Sequence, residues 1–289
     1  MTQTDNDRQQ CWERVLKSNK LFRISHLFAP DEFSEALLAL HALFASIEQI
    51  SSEVSEELVA RTKLEWWRFE LSEGNIERSR HPVVRHLGET GAAATLPAMA
   101  LQSLLDSTER RLDANPPSNM NEFNQLCRVI YQPRIHLECT LCGLDSSFVA
   151  NHNAIALEGG LLQLLRESFV QAKHGFWWIP LNTLARFGVN RQDLRDNSDA
   201  HPARTVFGNI LDDSREAPTP ETRGPRIKTA APPGLLHLQL TALLQNRQLQ
   251  HLQSRQPSRF GAELNRWHFS DLIAAWKMAR QSNRTGVPN

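Results

Sequence analysis

The residues of this 289-residue chain that could do chemistry are few and scattered. Cys139-Thr-Leu-Cys142 has the spacing of half a zinc site or of a redox pair. Zinc would need two further ligands at recognisable spacing, and the chain has no second C-x-x-C. The pair lies within an apolar helical pattern, Ile135 to Leu144, so it reads as two small buried thiols. Trp66-Trp67 and Trp177-Trp178 are adjacent aromatic pairs. Neighbours on a helix diverge by about 100°, so one ring of each pair is expected in the core. The other could line an apolar cavity and face a cation. Lys173-His174-Gly175 would suit a phosphate or an anionic surface, or simply the negative end of a helix. Glu48, Glu53, Glu56 and Glu57 read as a solvated helix end. His81, His86 and His136 are assigned no role.

The elements that must position these residues are helical nearly throughout. Glu32 to Ile50 places Phe33, Ala36, Leu37, Leu40, Leu43, Phe44 and Ile47 at helical spacing. Ser55 to Leu71 is a second helix, with Ser55 as its cap and Leu58, Thr62, Trp66 and Phe69 along one side. Leu96 to Leu112 and Asn121 to Leu141 follow, and Pro133 is expected to kink or break the latter near Gln132. Ser146 to Lys173 is long and is closed by Gly175. Leu181 to Arg186 is short and stops at Gly188; Arg191 to Arg195, Arg204 to Ser214, Leu235 to Leu252 and Gly261 to Arg280 complete the pattern. Residues 217–225 read as a linker. No stretch alternates with period two, so the fold class is all-α. Residues 1–15 are polar and are expected to be a flexible tip, and residues 16–285 one helical domain.

Composition narrows the function. Lys+Arg and Asp+Glu are both 32, a formal net charge of zero, which argues against a nucleic-acid binder. The chain opens without a secretory pattern, and no run of about 18 apolar residues is present. A cytoplasmic location is the expectation.

Residues 161–194, running through Lys173-His-Gly-Phe-Trp-Trp-Ile-Pro180 to Phe187-Gly-Val189, resemble the second signature region of the squalene/phytoene synthase family. Lys63-Leu-Glu-Trp-Trp-Arg-Phe-Glu-Leu71, followed by His81-Pro-Val83, is similar to another of its signatures. Phe28-Ala-Pro30 with Ala36-Leu-Leu-Ala-Leu-His-Ala-Leu-Phe44 looks like its first helix. The resemblance implies an isoprenoid-synthase-like helical bundle around a central cavity. It also implies condensation of prenyl diphosphates with magnesium held by two facing Asp-rich motifs. Hard cations want carboxylate oxygens in strict geometry, and i, i+4 spacing puts two carboxylates on one helix face.

Both motifs are eroded here. The first reads Glu48-Gln-Ile-Ser-Ser-Glu53, and the second keeps Arg166 but has Glu167 and Gln171 at its Asp positions. Glutamate moves the carboxylate by about 1.5 Å, and glutamine weakens a hard-cation site. Two polar positions that line the family's cavity are Gly160 and Gln163 here, and Ala45 replaces an arginine. The resemblance implies Arg166, Gln163, Trp67 and Trp178 as candidate substrate-binding residues and Glu48 and Glu167 as residual metal ligands. Ser51-Ser-Glu-Val-Ser-Glu-Glu57 resembles a divergent branch that includes respiratory complex I assembly factors. Two functions follow. One is a non-catalytic binding or assembly protein without a cofactor, acting on a protein partner or prenyl-type lipid, with peripheral contact at the inner membrane. The other is a divergent Mg²⁺-dependent prenyltransferase acting on farnesyl or geranylgeranyl diphosphate.

Overall fold

The computed structural model describes residues 2–53, 56–113, 115–144, 153–171, 178–190, 193, 201–216, 234–254 and 266–285. Among these there are thirteen α-helices, one short 3₁₀ turn at Ile76–Arg78 and no strand. The helices are α1 Gln3–Ser18, α2 Phe22–His26, α3 Asp31–Glu53, α4 Glu57–Glu70, α5 Pro82–Glu89, α6 Ala92–Thr95 and α7 Ala98–Asp113. They continue with α8 Met120–Leu141, α9 Asn153–Gln171, α10 Leu181–Arg186, α11 His201–Glu216, α12 Leu235–Ser254 and α13 Phe269–Thr285.

The central element is α3. Every residue from Ala36 to Glu48 is buried, which a helix with apolar side chains on all faces requires. By length and composition its span Asp31–Ser51 could cross a membrane, but 78% of its most apolar window is buried inside this fold, so here it is a core helix. Around it one apolar core joins α1, α3, α4, α5 and α7 to the end of α8 through Leu137 and Leu141. A second core joins the rest of α8 to α9, α10, α11 and α12. The pillar shared by both is therefore α8. Pro133 lies inside it and does not break it. A helix flanked on both sides retains its path despite the one backbone bond that proline removes. Helix α9 comes very close to α8: a Cβ on Gly160 would lie 2.1 Å from the Cys127 carbonyl oxygen, so only glycine fits there.

The N-terminal residues differ from the sequence expectation. Residues 3–18 form a helix, opened by a capping box in which the Thr2 hydroxyl accepts from the Asp5 amide and the Asp5 carboxylate accepts from the Thr2 amide. Asp7 is fully buried and takes two guanidinium contacts from Arg85 on α5. The polar composition that suggested a loose tip is in part a long-range ion pair. On α4 the stripe of Leu58, Thr62, Trp66 and Phe69 faces outward, while Ala60, Leu64, Trp67 and Leu71 face the core. Arg61 and Arg68 hold α4 against α7 through Glu109 and, for Arg68, Asp106. The turn around Lys173 to Gly175, Trp177 and the 217–225 linker lie outside the described residues.

Candidate functional site

Four helices deliver charged side chains to one buried corner. Glu48 and Ser51 come from α3, Arg111 from the last turn of α7, Arg134 from α8, and Gln163, Arg166 and Glu167 from α9. Glu48 and Glu167 are thus brought together, as the resemblance implies. What joins them is arginine. The Arg111 guanidinium donates to the Glu167 carboxylate at 2.6 Å and also to the Ser51 hydroxyl. Gln163 donates to the same Glu167 oxygen at 3.0 Å. Arg134 and Arg166 lie 3.7 and 3.8 Å from the two oxygens of Glu48, and the Ser18 hydroxyl donates to Glu48 at 3.2 Å. Arg166 also donates to the Ser18 carbonyl at 2.5 Å, at the negative end of α1.

All of these groups except Arg166 and Ser18 are buried. Burial raises the pKa of the Glu167 carboxyl and lowers that of the Arg111 guanidinium, and each partner opposes the other's shift. Arg111 still keeps its proton, because a guanidinium does not lose it in proteins.

This corner does not suit magnesium. Mg²⁺ needs carboxylate oxygens at about 2.0–2.1 Å in near-octahedral array. Here the two carboxylates already face three guanidinium groups. A metal would have to displace these fixed positive charges, and they would repel it. Arg166, the family's expected diphosphate contact, is engaged with Glu48 and Ser18.

The corner opens onto a cavity between α1, α2, α3, α8, α9 and α12, lined among others by Ser18, His41, Glu48, Arg134, Gln163 and Arg166. Its free volume is about 50 Å³, which holds a few water molecules; small-molecule sites usually need roughly 300–1,000 Å³. Trp67 is buried and packs edge-on against His81 at 4.9 Å. Trp178 is buried in the core around α8 and α9, where its amide donates to Ser168. Neither lines this cavity. Cys139 and Cys142 are free, buried thiols, each pushed up to about 12 by burial. Arg111 and Arg134 escaped sequence reasoning. Each is an ordinary basic residue in its own helix, and only the fold aims them at carboxylates 56 residues downstream and 86 residues upstream, respectively.

A family model described as squalene/phytoene synthase matches residues 15–217. The similar curated proteins include NADH dehydrogenase (ubiquinone) complex I, assembly factor 6, from Mus musculus, 22% identical over 202 residues, and from Homo sapiens, 21% identical. Each alignment covers 68% of this chain, and the chain spans only about 60% of the length of these relatives. Among solved structures, a dehydrosqualene synthase in complex with ligand superposes with a TM-score of 0.67 at 15% identity, covering 98% of both chains. Squalene synthase HpnC from Alicyclobacillus acidocaldarius gives 0.54 at 16% identity, covering 98% of this chain and 95% of that one. At such identities these two show the fold alone. The match across well over half of the sequence, on an isoprenoid-synthase-like helical fold, establishes that the chain belongs to the squalene/phytoene synthase family.

Proposed function

We propose that this chain is a non-catalytic binding protein on the synthase fold that acts through a protein partner in assembling a respiratory complex. The observation that carries this reading is the corner in which arginines neutralise Glu48 and Glu167. Departure of a diphosphate needs positive charge fixed against it in the transition state; here the cations are spent on the protein's own carboxylates. The naming of the mammalian relatives as complex I assembly factors supports the partner class. A prenyl-type lipid would have to open the cavity far beyond 50 Å³.

Two exposed faces supply contact surface. Helix α4 shows solvent Leu58, Trp66 and Phe69, with Leu58 77% and Phe69 62% exposed. The α13 region exposes Trp267, Phe269, Ile273 and Trp276, with Arg280 stacked over Trp276 at 5.2 Å. Aromatic groups beside cations suit a membrane interface, which supports peripheral contact with the membrane where such complexes are built. The test is deletion in the source organism, followed by native electrophoresis of complex I. Loss of the assembled complex, restored by the wild type but not by Leu58→Asp/Phe69→Asp, is expected. Normal assembly in the deletion strain would refute the proposal.

A further inference from the structure

Beside the arginine corner lies a second buried cluster, one member of which, His41, lines the same cavity, and the proposed function does not use it. His41 is two turns before Glu48 on α3, Glu138 is one turn after Arg134 on α8, and His237 is in the first turn of α12. Nε2 of His41 lies 3.4 Å from one Glu138 oxygen, and Nε2 of His237 lies 3.7 Å from the other. One ligand atom from each of the three residues lies within 4.8 Å of the others. Glu138 and His237 are fully buried and His41 is 8% exposed. Despite these short distances, neither carboxylate oxygen of Glu138 has a hydrogen-bond partner, nor does Nε2 of His41 or either ring nitrogen of His237. Three helices thus aim a carboxylate and two imidazoles at one point, joined by near approaches rather than by hydrogen bonds of good geometry. A buried carboxylate held so loosely is costly, and its natural complement is a cation.

We propose that His41, Glu138 and His237 bind one divalent transition-metal ion of the zinc or iron(II) class. Two imidazoles and one carboxylate are a donor set suited to these ions rather than to magnesium or calcium. Metal–ligand bonds of about 2.0–2.2 Å in a tetrahedral array put ligand atoms about 3.3 Å apart. The two short contacts run to different oxygens of Glu138, and side-chain rotation would draw one atom from each residue, now within 4.8 Å, to that spacing. Arg134 is itself paired with Glu48 and lies over the Phe44 and Tyr131 rings, 5.4 Å from each. The Phe22 ring lies 4.0 Å from the His41 ring and fixes its plane. Of the three residues, His41 lines the cavity, which gives an ion a path to the cluster. This is a site separate from the eroded family motifs, and it stands whether or not the protein is an assembly factor.

The experiment is titration of the full chain, stripped with a chelator, with Co²⁺ and then Zn²⁺. One equivalent should bind with a Kd in the micromolar range or tighter. Co²⁺ should show the visible ligand-field bands of a low-coordinate nitrogen–oxygen site, and Zn²⁺ should raise the thermal midpoint. Glu138→Gln, nearly isosteric, and His237→Ala should each weaken binding by more than about 100-fold, beyond what outer-shell changes produce. Cys139→Ser/Cys142→Ser should leave it intact, which separates the site from the neighbouring thiols. Circular dichroism confirms that each variant is folded, and the wild-type titration stands without them. Absence of stoichiometric binding would overturn the proposal and leave a cluster that holds only a proton. So would binding that survives Glu138→Gln and His237→Ala, or that disappears with the thiols.

Discussion

Arg111 shows at the scale of one side chain how a cation site can be closed from within. Its guanidinium joins Glu167 to Ser51 across two helices with no solvent near. Removing one member of a buried pair leaves an uncompensated charge, so Arg111→Ala should destabilise the fold by about 3–5 kcal/mol in urea unfolding. Arg111→Met/Glu167→Leu should recover most of that loss, because apolar replacements of similar volume relieve both desolvation penalties. A double variant as unstable as the single one would mean that the pair does more than neutralise charge. The tryptophan pair gives a second contrast. Trp67 is 5% exposed and Trp66 42%. Trp67→Ala should cost about 3–5 kcal/mol and Trp66→Ala much less, compared by their unfolding midpoints. That one ring of the pair is core was legible from helical geometry; which one was not, because α4 carries apolar residues on both faces.

At the scale of elements, the helices were legible where their apolar periodicity is strong and illegible where long-range polar contacts hold them. The extents of α3, α7, α8, α10 and α12 follow the sequence pattern within a few residues. Helix α1 does not announce itself, because what anchors it is Asp7 against Arg85, 78 residues away. The face that α4 presents to the core was not legible for a similar reason: Arg61 and Arg68 reach Asp106 and Glu109 on α7, and this holds its rotation. His81, at the start of α5, packs its ring on Trp66 and Trp67. Burial, with the fields of Arg14 and Arg85, lowers its pKa from 6.5 to about 4. The folded state therefore binds fewer protons than the unfolded chain between those values. The stability His81 contributes is full above pH 6.5 and is lost as the pH falls through about 4. His81→Gln should flatten the decline of the urea midpoint between pH 6.5 and 4 relative to wild type. An equal decline in both would place the acid sensitivity elsewhere.

At the scale of the whole molecule, the family's bundle has been retained and its interior changed. The two eroded motifs were visible in the sequence, because glutamate and glutamine stand at positions that the resemblance assigns to aspartate. The arginines that face Glu48 and Glu167 were not visible, because Arg111, Arg134 and Arg166 come from three helices and converge only in the fold. The small size of the cavity was likewise beyond reach of pattern: Gly160 admits α8 at backbone contact, and the free volume is about 50 Å³. The predicted consequence is a protein with the architecture of a synthase and no means of ionising a diphosphate. The most direct measurement is pyrophosphate release by the purified chain incubated with farnesyl or geranylgeranyl diphosphate and Mg²⁺, beside an active family member as positive control. No release above the protein-free background is expected. Clear release by the unmodified chain, abolished by Glu167→Ala, would contradict it.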